Sequence, residues 1–149
     1  MRALIQRVSE AAVFVDELNY KAEINKGMVI LLGVKNEDKI ADVSFVADKC
    51  LNLRIFEDEN NKMNLSVKEI NGELLIVSQF TLYGETKKGN RPNFTEAATA
   101  EIAESFYNLF IERIKNNYPK EKIKTGIFGA MMKVKILNDG PVTVLVESK

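Results

Sequence analysis

The amino-acid sequence predicts a single α/β domain that spans residues 1–149. Segments with the pattern of strands alternate with two segments of helical spacing, in the order strands, helix, strands, helix, strands. Neither an internal repeat nor a linker interrupts this order. The length suits one domain with a substantial core, and 46% of the residues are apolar. This order favours a mixed or largely antiparallel sheet with two helices packed outside it.

A long first strand is expected at 1–16. Its odd-numbered positions are largely apolar, and they place the following residues on one face: Ala3, Ile5, Ala11, Val13 and Val15. Arg7 shares that face. A charged side chain on a buried face must either reach an edge or have a buried partner.

The other elements follow from apolar runs and from helical spacing. Apolar runs predict strands at 20–24, 28–34, 54–57 and 74–82, near Ile123, and at 133–137 and 142–147. A helix is expected over 42–52, with its buried stripe at Val43, Val46, Ala47 and Cys50. A second helix is expected over 99–116, with its stripe at Ile102, Phe106, Leu109, Phe110 and Ile114. The acidic segment 57–61 is typical of a hairpin turn and lacks the spacing of a calcium loop.

The segment 78–81 is the most informative for function. Polar residues follow the apolar run 74–77, at the point where a buried strand should reach the surface. This segment can be an ordinary strand end whose polar groups bind neighbouring backbone. Alternatively, two backbone N–H groups at such a strand end can form an oxyanion hole for an ester carbonyl.

The chain contains no histidine and a single cysteine, Cys50. A Ser-His-Asp triad and a Cys-His pair are therefore impossible, and Thr81 has no histidine to activate it as a nucleophile. Zinc sites need more His and Cys ligands than this, and the sequence has no Walker or dinucleotide-binding motif, so we expect neither a metal nor a cofactor. Catalysis near neutral pH would use backbone dipoles, hydroxyls, a carboxylate or lysine, or a group on the substrate.

Composition also bounds the location and the partners of the protein. The formal net charge is zero, so we expect no DNA partner, although a local basic patch can still bind the end of an RNA. No run of about 18 apolar residues would span a bilayer, and the N-terminal segment lacks the pattern of a signal peptide. We therefore expect a cytoplasmic protein without a membrane partner.

Several motifs resemble those of the D-aminoacyl-tRNA deacylases. The segment 78–82, SQFTL, is similar to a motif of that family, and Gly140-Pro141 is similar to its Gly-Pro motif. Further similar segments lie at 1–8, 53–58, 62–66 and 125–132, so the resemblance covers the whole chain. It implies a two-sheet, barrel-like core with helices outside. It also implies a homodimer that hydrolyses the ester of D-aminoacyl-tRNA, and of mischarged glycyl-tRNA, as chiral proofreading in translation.

The resemblance assigns roles to individual residues. Thr81, Gln79 and Phe80 would be catalytic, and Ser78, Phe128 and Met132 would bind the substrate, the last two holding the terminal adenine. Gly140 and Pro141, joined by a cis peptide bond, would enter the partner subunit's site and exclude L side chains. The base would be the substrate's 2′-hydroxyl orienting water, with Thr81 as nucleophile the alternative.

Simpler interpretations remain open for most of these residues. Phe128 and Met132 can be core residues, and Gly140-Pro141 can be only a hairpin turn. Lys87, Lys88 and Arg91 follow the SQFTL segment and can be either a solvated loop or contacts for tRNA phosphates.

Two other function classes also remain. A non-catalytic RNA-binding α/β module would need a basic surface with exposed aromatic residues on a sheet. A small-molecule ester hydrolase would usually need the missing triad.

Overall fold

The long first strand organises the fold in the computed structural model, which describes residues 1–148. The strands and helices in chain order are β1 (Arg2–Val15), β2 (Tyr20–Ile24), β3 (Gly27–Gly33), α1 (Ile40–Asn52), β4 (Phe56–Glu57), β5 (Met63–Leu65), β6 (Glu73–Ser78), α2 (Ala100–Lys115), β7 (Ile123–Thr125) and β8 (Lys133–Glu147). β1 pairs antiparallel with β2, β3 and β8. β3 pairs parallel with β6, and β6 pairs parallel with β7. The predicted mixed sheet with two helices is confirmed.

The prediction of a single apolar face along β1 is wrong. Ala3 and Ile5 lie in the larger core cluster, whereas Val8, Ala11 and Val13 lie in a second cluster. The cause is an irregular register between β1 and β8 around residues 6–10. One extra residue in a strand moves all later side chains to the opposite face.

The second cluster makes the sheet barrel-like. Ile24 of β2 shares this cluster with Val29 of β3 and Leu75 of β6, so β2 folds back over the middle of the sheet. The Tyr20 hydroxyl donates a hydrogen bond to the Thr125 carbonyl at 2.8 Å and links β2 to β7. The sheet therefore curls around a small core of its own, in agreement with the barrel-like architecture implied by the resemblance.

The two helices cover the other face of the sheet. The guanidinium of Arg113 makes two hydrogen bonds to Asp48, at 3.0 and 2.6 Å, and joins α2 to α1. Cys50 is fully buried, as predicted, and burial raises the pKa of its thiol to about 12. Within residues 1–148, no helix is long and apolar enough to cross a membrane.

The buried stripe of α2 differs from the predicted one. Ile102 and Leu109 are 39% and 43% exposed. The stripe that faces the sheet is Ala103, Tyr107, Phe110, Ile111 and Ile114. Helical spacing alone did not indicate this rotation, because a tyrosine occupies the middle of the buried face.

Two strand boundaries were also predicted wrongly. β6 ends at Ser78 instead of continuing to residue 82, and a 3₁₀ turn follows at Phe80–Tyr83. The segments 133–137 and 142–147 form one continuous strand, β8, without a hairpin turn at Gly140-Pro141. Both segments pair with β1, so the chain keeps its direction through the Gly-Pro sequence. The acidic segment 57–61 does form the turn of the β4–β5 hairpin.

Candidate active site

The end of β6 presents two backbone N–H groups without a partner. The Gln79 N–H donates to the Leu32 carbonyl at 2.7 Å, which is the last link to β3. In the 3₁₀ turn that follows, the Leu82 N–H returns to the Gln79 carbonyl at 3.3 Å. The N–H groups of Phe80 and Thr81 come before the Leu82 N–H, which makes the first hydrogen bond of this turn. Neither of them donates to a group within residues 1–148. They are two adjacent free donors at a strand end.

The chain around this turn holds it in place. Nη1 of Arg2 donates to the Leu82 carbonyl at 2.9 Å, and the same guanidinium lies 4.6 Å from the centre of the Tyr83 ring. Gly33 of β3 lies close beneath, since a Cβ there would be 3.1 Å from the Gln79 carbonyl oxygen. The Phe94 ring packs edge-on against Phe80 at 5.2 Å. The positions of the free N–H groups are therefore set by residues from distant parts of the chain.

The Thr81 hydroxyl has a donor beside it and no base. The side-chain amide of Gln79 donates to Thr81 Oγ1 at 2.5 Å. An amide N–H cannot accept the hydroxyl proton, so Gln79 cannot activate Thr81 as a nucleophile. Thr81 is also exposed, and it lies outside the lining of the cavity described next.

A cavity of about 550 Å³ opens beside the strand end. Five of the residues predicted from the sequence line it: Ser78, Gln79, Phe80, Phe128 and Met132. Most of the other lining residues are apolar and come from β3, α2 and the loop after β7. A pocket of this size with few polar groups is typical of small-ligand sites.

The Ile76 carbonyl of β6 links α2 and the loop after β7, which both form the wall of this cavity. This oxygen accepts hydrogen bonds from the Tyr107 hydroxyl at 2.8 Å and from the Gly126 N–H at 2.9 Å. The Tyr107 ring lies 5.9 Å from the Phe128 ring. A Cβ on Gly126 would lie only 2.6 Å from the sulfur of Met132, so glycine lets that side chain fold back into the wall. The sequence interpretation missed Tyr107, although a tyrosine among buried helix positions is a signal that its hydroxyl has a partner.

Gly140 and Pro141 lie apart from this cavity. Their peptide bond is cis, as the resemblance implies, and Gly140 has φ of 118°. Both residues are exposed on β8, and neither lines the cavity of its own chain. The structure thus does not bring the predicted Gly-Pro motif together with the SQFTL segment within one chain.

Arg7 connects the Gly-Pro motif to the core. It is buried, and it donates to the Asp139 carbonyl at 3.1 Å and to the Ile55 carbonyl at 2.9 Å. It also forms ion pairs with Glu57 at 3.7 Å and with Asp139 at 3.4 Å. Of the two alternatives predicted for Arg7, an edge or a buried partner, the structure shows the second, and the buried partner is the Ile55 carbonyl.

The three basic residues after the SQFTL segment lie on an exposed loop. Lys87, Lys88 and Arg91 are all exposed, and none lines the cavity. Glu85 and Asn93 pair across the base of the loop. Lys87 lies 3.5 Å from Glu85, so part of its charge is balanced locally.

Comparison with known proteins identifies the family. The family model for D-Tyr-tRNA(Tyr) deacylase matches residues 4–147. The chain belongs to this deacylase family. A D-aminoacyl-tRNA deacylase of Clostridioides difficile (strain 630) is 54% identical, over 99% of this chain and 97% of the relative. The corresponding enzyme of Caldicellulosiruptor saccharolyticus is also 54% identical, over 100% and 98%.

Two solved structures share the fold of this chain. The structure of a protein named c-Myc DNA Unwinding Element Binding Protein has a TM-score of 0.94 and 45% identity, and the match covers 100% of this chain and 99% of that one. A probable eukaryotic D-amino acid tRNA deacylase has a TM-score of 0.84 at 16% identity, over 99% of this chain and 98% of that one, and shares the fold.

Proposed function

We propose that this protein hydrolyses the ester bond between a D-amino acid and the terminal ribose of tRNA, releasing both. One observation carries the proposal: the deacylase family model spans residues 4–147, and within that span two free backbone donors lie at a strand end beside an apolar cavity. The reaction adds water to the ester carbonyl and breaks the bond to the ribose oxygen, which takes up a proton.

The Phe80 and Thr81 N–H groups form the oxyanion hole of this reaction. When water attacks the ester, negative charge develops on the carbonyl oxygen. Two fixed donors aimed at that oxygen stabilise the charge, and loss of one such donor typically costs about 100- to 1000-fold in rate. The absence of histidine from the chain agrees with a site that works mainly through its main chain.

The substrate supplies the proton acceptor. Gln79 offers Thr81 a donor and no base, so Thr81 stays protonated. In a 3′-linked aminoacyl-tRNA, the 2′-hydroxyl of the terminal ribose lies next to the ester and can orient the attacking water. Thr81 then acts through its backbone N–H, and its hydroxyl orients the Gln79 side chain.

The terminal adenosine occupies the apolar cavity. Phe128 offers an aromatic face and Met132 a polarizable thioether, both suited to a flat base. Ser78, the last residue of β6, lines the cavity two positions before the free donors and contacts the ester end of the substrate. The exposed cations Lys87, Lys88 and Arg91 contact phosphates of the acceptor end.

A second copy of the chain completes the site. Gly140 and Pro141 lie outside their own cavity, so they enter that of a partner and exclude L side chains there. The exposed edge of β8 supports a dimer. This 15-residue strand pairs only with β1 in the described part of the chain, and Leu137 and Leu145 on it are 53% and 47% exposed. A long unpaired edge of this kind is normally covered by another chain or element.

Glycine lacks the side chain that the Gly-Pro motif rejects, so glycyl-tRNA is a second substrate.

We place the reaction in the cytoplasm, where aminoacyl-tRNA is used. A non-catalytic nucleic-acid-binding module, expected from the sequence to bind RNA, remains the alternative, because a protein 45% identical to this chain is named for binding a DNA element. A net charge of zero argues against tight binding to a long duplex.

Incubation with D-tyrosyl-, L-tyrosyl- and glycyl-tRNA tests the proposal. We expect rapid release of D-tyrosine and glycine and no release of L-tyrosine. Binding without release would support the RNA-binding module, and equal release of both tyrosine enantiomers would overturn chiral proofreading.

Sedimentation under assay conditions should show a dimer. A fully active monomer would refute the role of Gly140 and Pro141 in the partner's site.

A further inference from the structure

A second cavity, of about 420 Å³, lies directly beside the first. Tyr107 and Phe128 line both cavities, so the two adjoin at this pair of rings. One wall of the second cavity is a stripe of α2 side chains, and the other is the end of β7 and the loop that follows it. A molecule that fills the first cavity and continues past Phe128 enters the second.

The helix wall of the second cavity is polar. It carries the carboxylates of Glu104 and Glu112, the amide of Asn108 and the ammonium group of Lys115. Lys115 lies 3.2 Å from Glu112, so these two charges satisfy each other. Glu104 and Asn108 are exposed, and no described residue makes a hydrogen bond to either side chain. Their free groups are an anionic acceptor beside an amide that can both donate and accept.

The opposite wall carries two large apolar side chains. It consists of Thr125, Gly126, Ile127 and Phe128, of which Ile127 and Phe128 are half-buried. A cavity with one apolar wall and one wall of hydrogen-bonding groups suits a planar heterocycle that stacks on one side and presents its polar edge to the other. The carboxylates disfavour a phosphate, so the base and not the backbone of a nucleotide faces this wall.

We propose that the second cavity binds the base that precedes the terminal adenosine, which is a cytosine at the 3′ end of tRNA. This inference rests on the proposed function. Cytosine presents one amino donor and two acceptors on its pairing edge. A carboxylate such as Glu104 accepts from the amino group, and the Asn108 amide donates to an acceptor. Uracil has an acceptor in place of the amino group and would be repelled by the carboxylate.

Three small substrates separate this base subsite from the rest of tRNA. They are the D-tyrosyl esters of adenosine, of cytidylyl-adenosine and of uridylyl-adenosine. The two dinucleotides carry the same phosphate, so any difference between them reports the base. We expect the cytidylyl ester to have a kcat/KM about tenfold above that of the uridylyl ester, as one good pair of base contacts discriminates to this degree.

Variants on the helix wall test which side chains cause the preference for the cytidylyl ester over the uridylyl ester. Glu104→Gln adds a donor that suits uracil, and Asn108→Ala removes the amide, so either should reduce the preference for cytidylyl over uridylyl toward one. Glu101→Gln is the matched control, because Glu101 lies on the same helix outside the cavity wall and should leave the ratio unchanged.

The outcomes distinguish the subsite from the activity. Cleavage of all three esters by the wild type at equal kcat/KM would overturn the subsite while the deacylase function stands. A preference for cytidylyl that both Glu104→Gln and Asn108→Ala retain would also overturn it. Failure to cleave any D-ester or D-aminoacyl-tRNA would refute the proposed function itself, and this inference with it.

Discussion

Arg7 lies directly against Gly140, on the side of β8 that faces the core. A Cβ on Gly140 would be 2.9 Å from Nη2 of Arg7 and 2.9 Å from Cγ2 of Val142. A buried guanidinium therefore fills the space that any other residue at position 140 would need. The backbone of the Gly-Pro motif is positioned by a side chain from β1.

Gly140→Ala should abolish most deacylation while the fold is retained. The φ of 118° is strained for alanine, and the new methyl group would displace Arg7 or Val142. A displacement of about 1 Å in positioning groups costs about 100-fold in rate. Turnover of D-tyrosyl-tRNA and the circular dichroism spectrum measure the two effects.

Gly89→Ala is the matched control for that substitution. Gly89 also has a positive φ, of 70°, but a Cβ there meets nothing within 4 Å. The loss of stability in Gly89→Ala therefore measures the backbone strain of alanine at a positive φ without any steric contact. Undiminished activity of Gly140→Ala would show that the motif is only a structural element of β8.

Arg7→Ala should destabilise the protein and weaken the rejection of L-aminoacyl esters. The substitution leaves the Ile55 and Asp139 carbonyls without their donor and removes the partner of two carboxylates. Because Glu57 and Asp139 are half exposed, the main cost is the loss of the hydrogen bonds from the charged guanidinium, each typically about 1.5–3 kcal/mol. Urea unfolding measures the loss. Arg113→Ala, in an exposed ion pair with Asp48, should cost at most about 1 kcal/mol, and an equal effect of both variants would contradict this view of Arg7.

Thr81→Ala should retain measurable activity, because the backbone N–H at position 81 survives the substitution. A chelator should not change the rate. Replacing the terminal ribose 2′-hydroxyl by hydrogen, on a 3′-linked ester, should slow the reaction strongly. Complete inactivity of a folded Thr81→Ala variant, together with an unchanged rate on the 2′-deoxy substrate, would instead establish threonine as the nucleophile.

Tyr107→Phe should raise KM for D-tyrosyl-tRNA more than it lowers kcat. The variant keeps the ring against Phe128 and loses only the bond to Ile76, whose carbonyl retains the Gly126 N–H. We expect a stability loss of about 1 kcal/mol. Tyr118→Phe is the control, since it also removes a buried tyrosine hydroxyl, one that bonds to Gly72 instead of the cavity wall. Equal kinetic effects of both variants would exclude a specific role for Tyr107.

Much of the fold and part of the site could be predicted from the sequence. β2 was located at 20–24 as observed, and the bounds of both helices were within two residues, because apolar periodicity is a local property. Five of the predicted site residues lie in one cavity, since Ser78 to Phe80 are contiguous and Phe128 and Met132 share one loop. The end of β6 was misplaced because apolar residues of the 3₁₀ turn continue the strand pattern.

The sequence by itself determined the family, the order of the elements and the residues of the SQFTL and Gly-Pro motifs, because each is a pattern of neighbours along the chain. Only the tertiary structure decided which distant side chains hold the site and the Gly-Pro motif in place. The hydrogen bond from Arg7 to Asp139 spans 132 positions, and that from Tyr107 to Ile76 spans 31. The change of face within β1 also depends on its pairing with β8. Contacts of this kind form only when distant strands adopt one register, and no local pattern specifies that register.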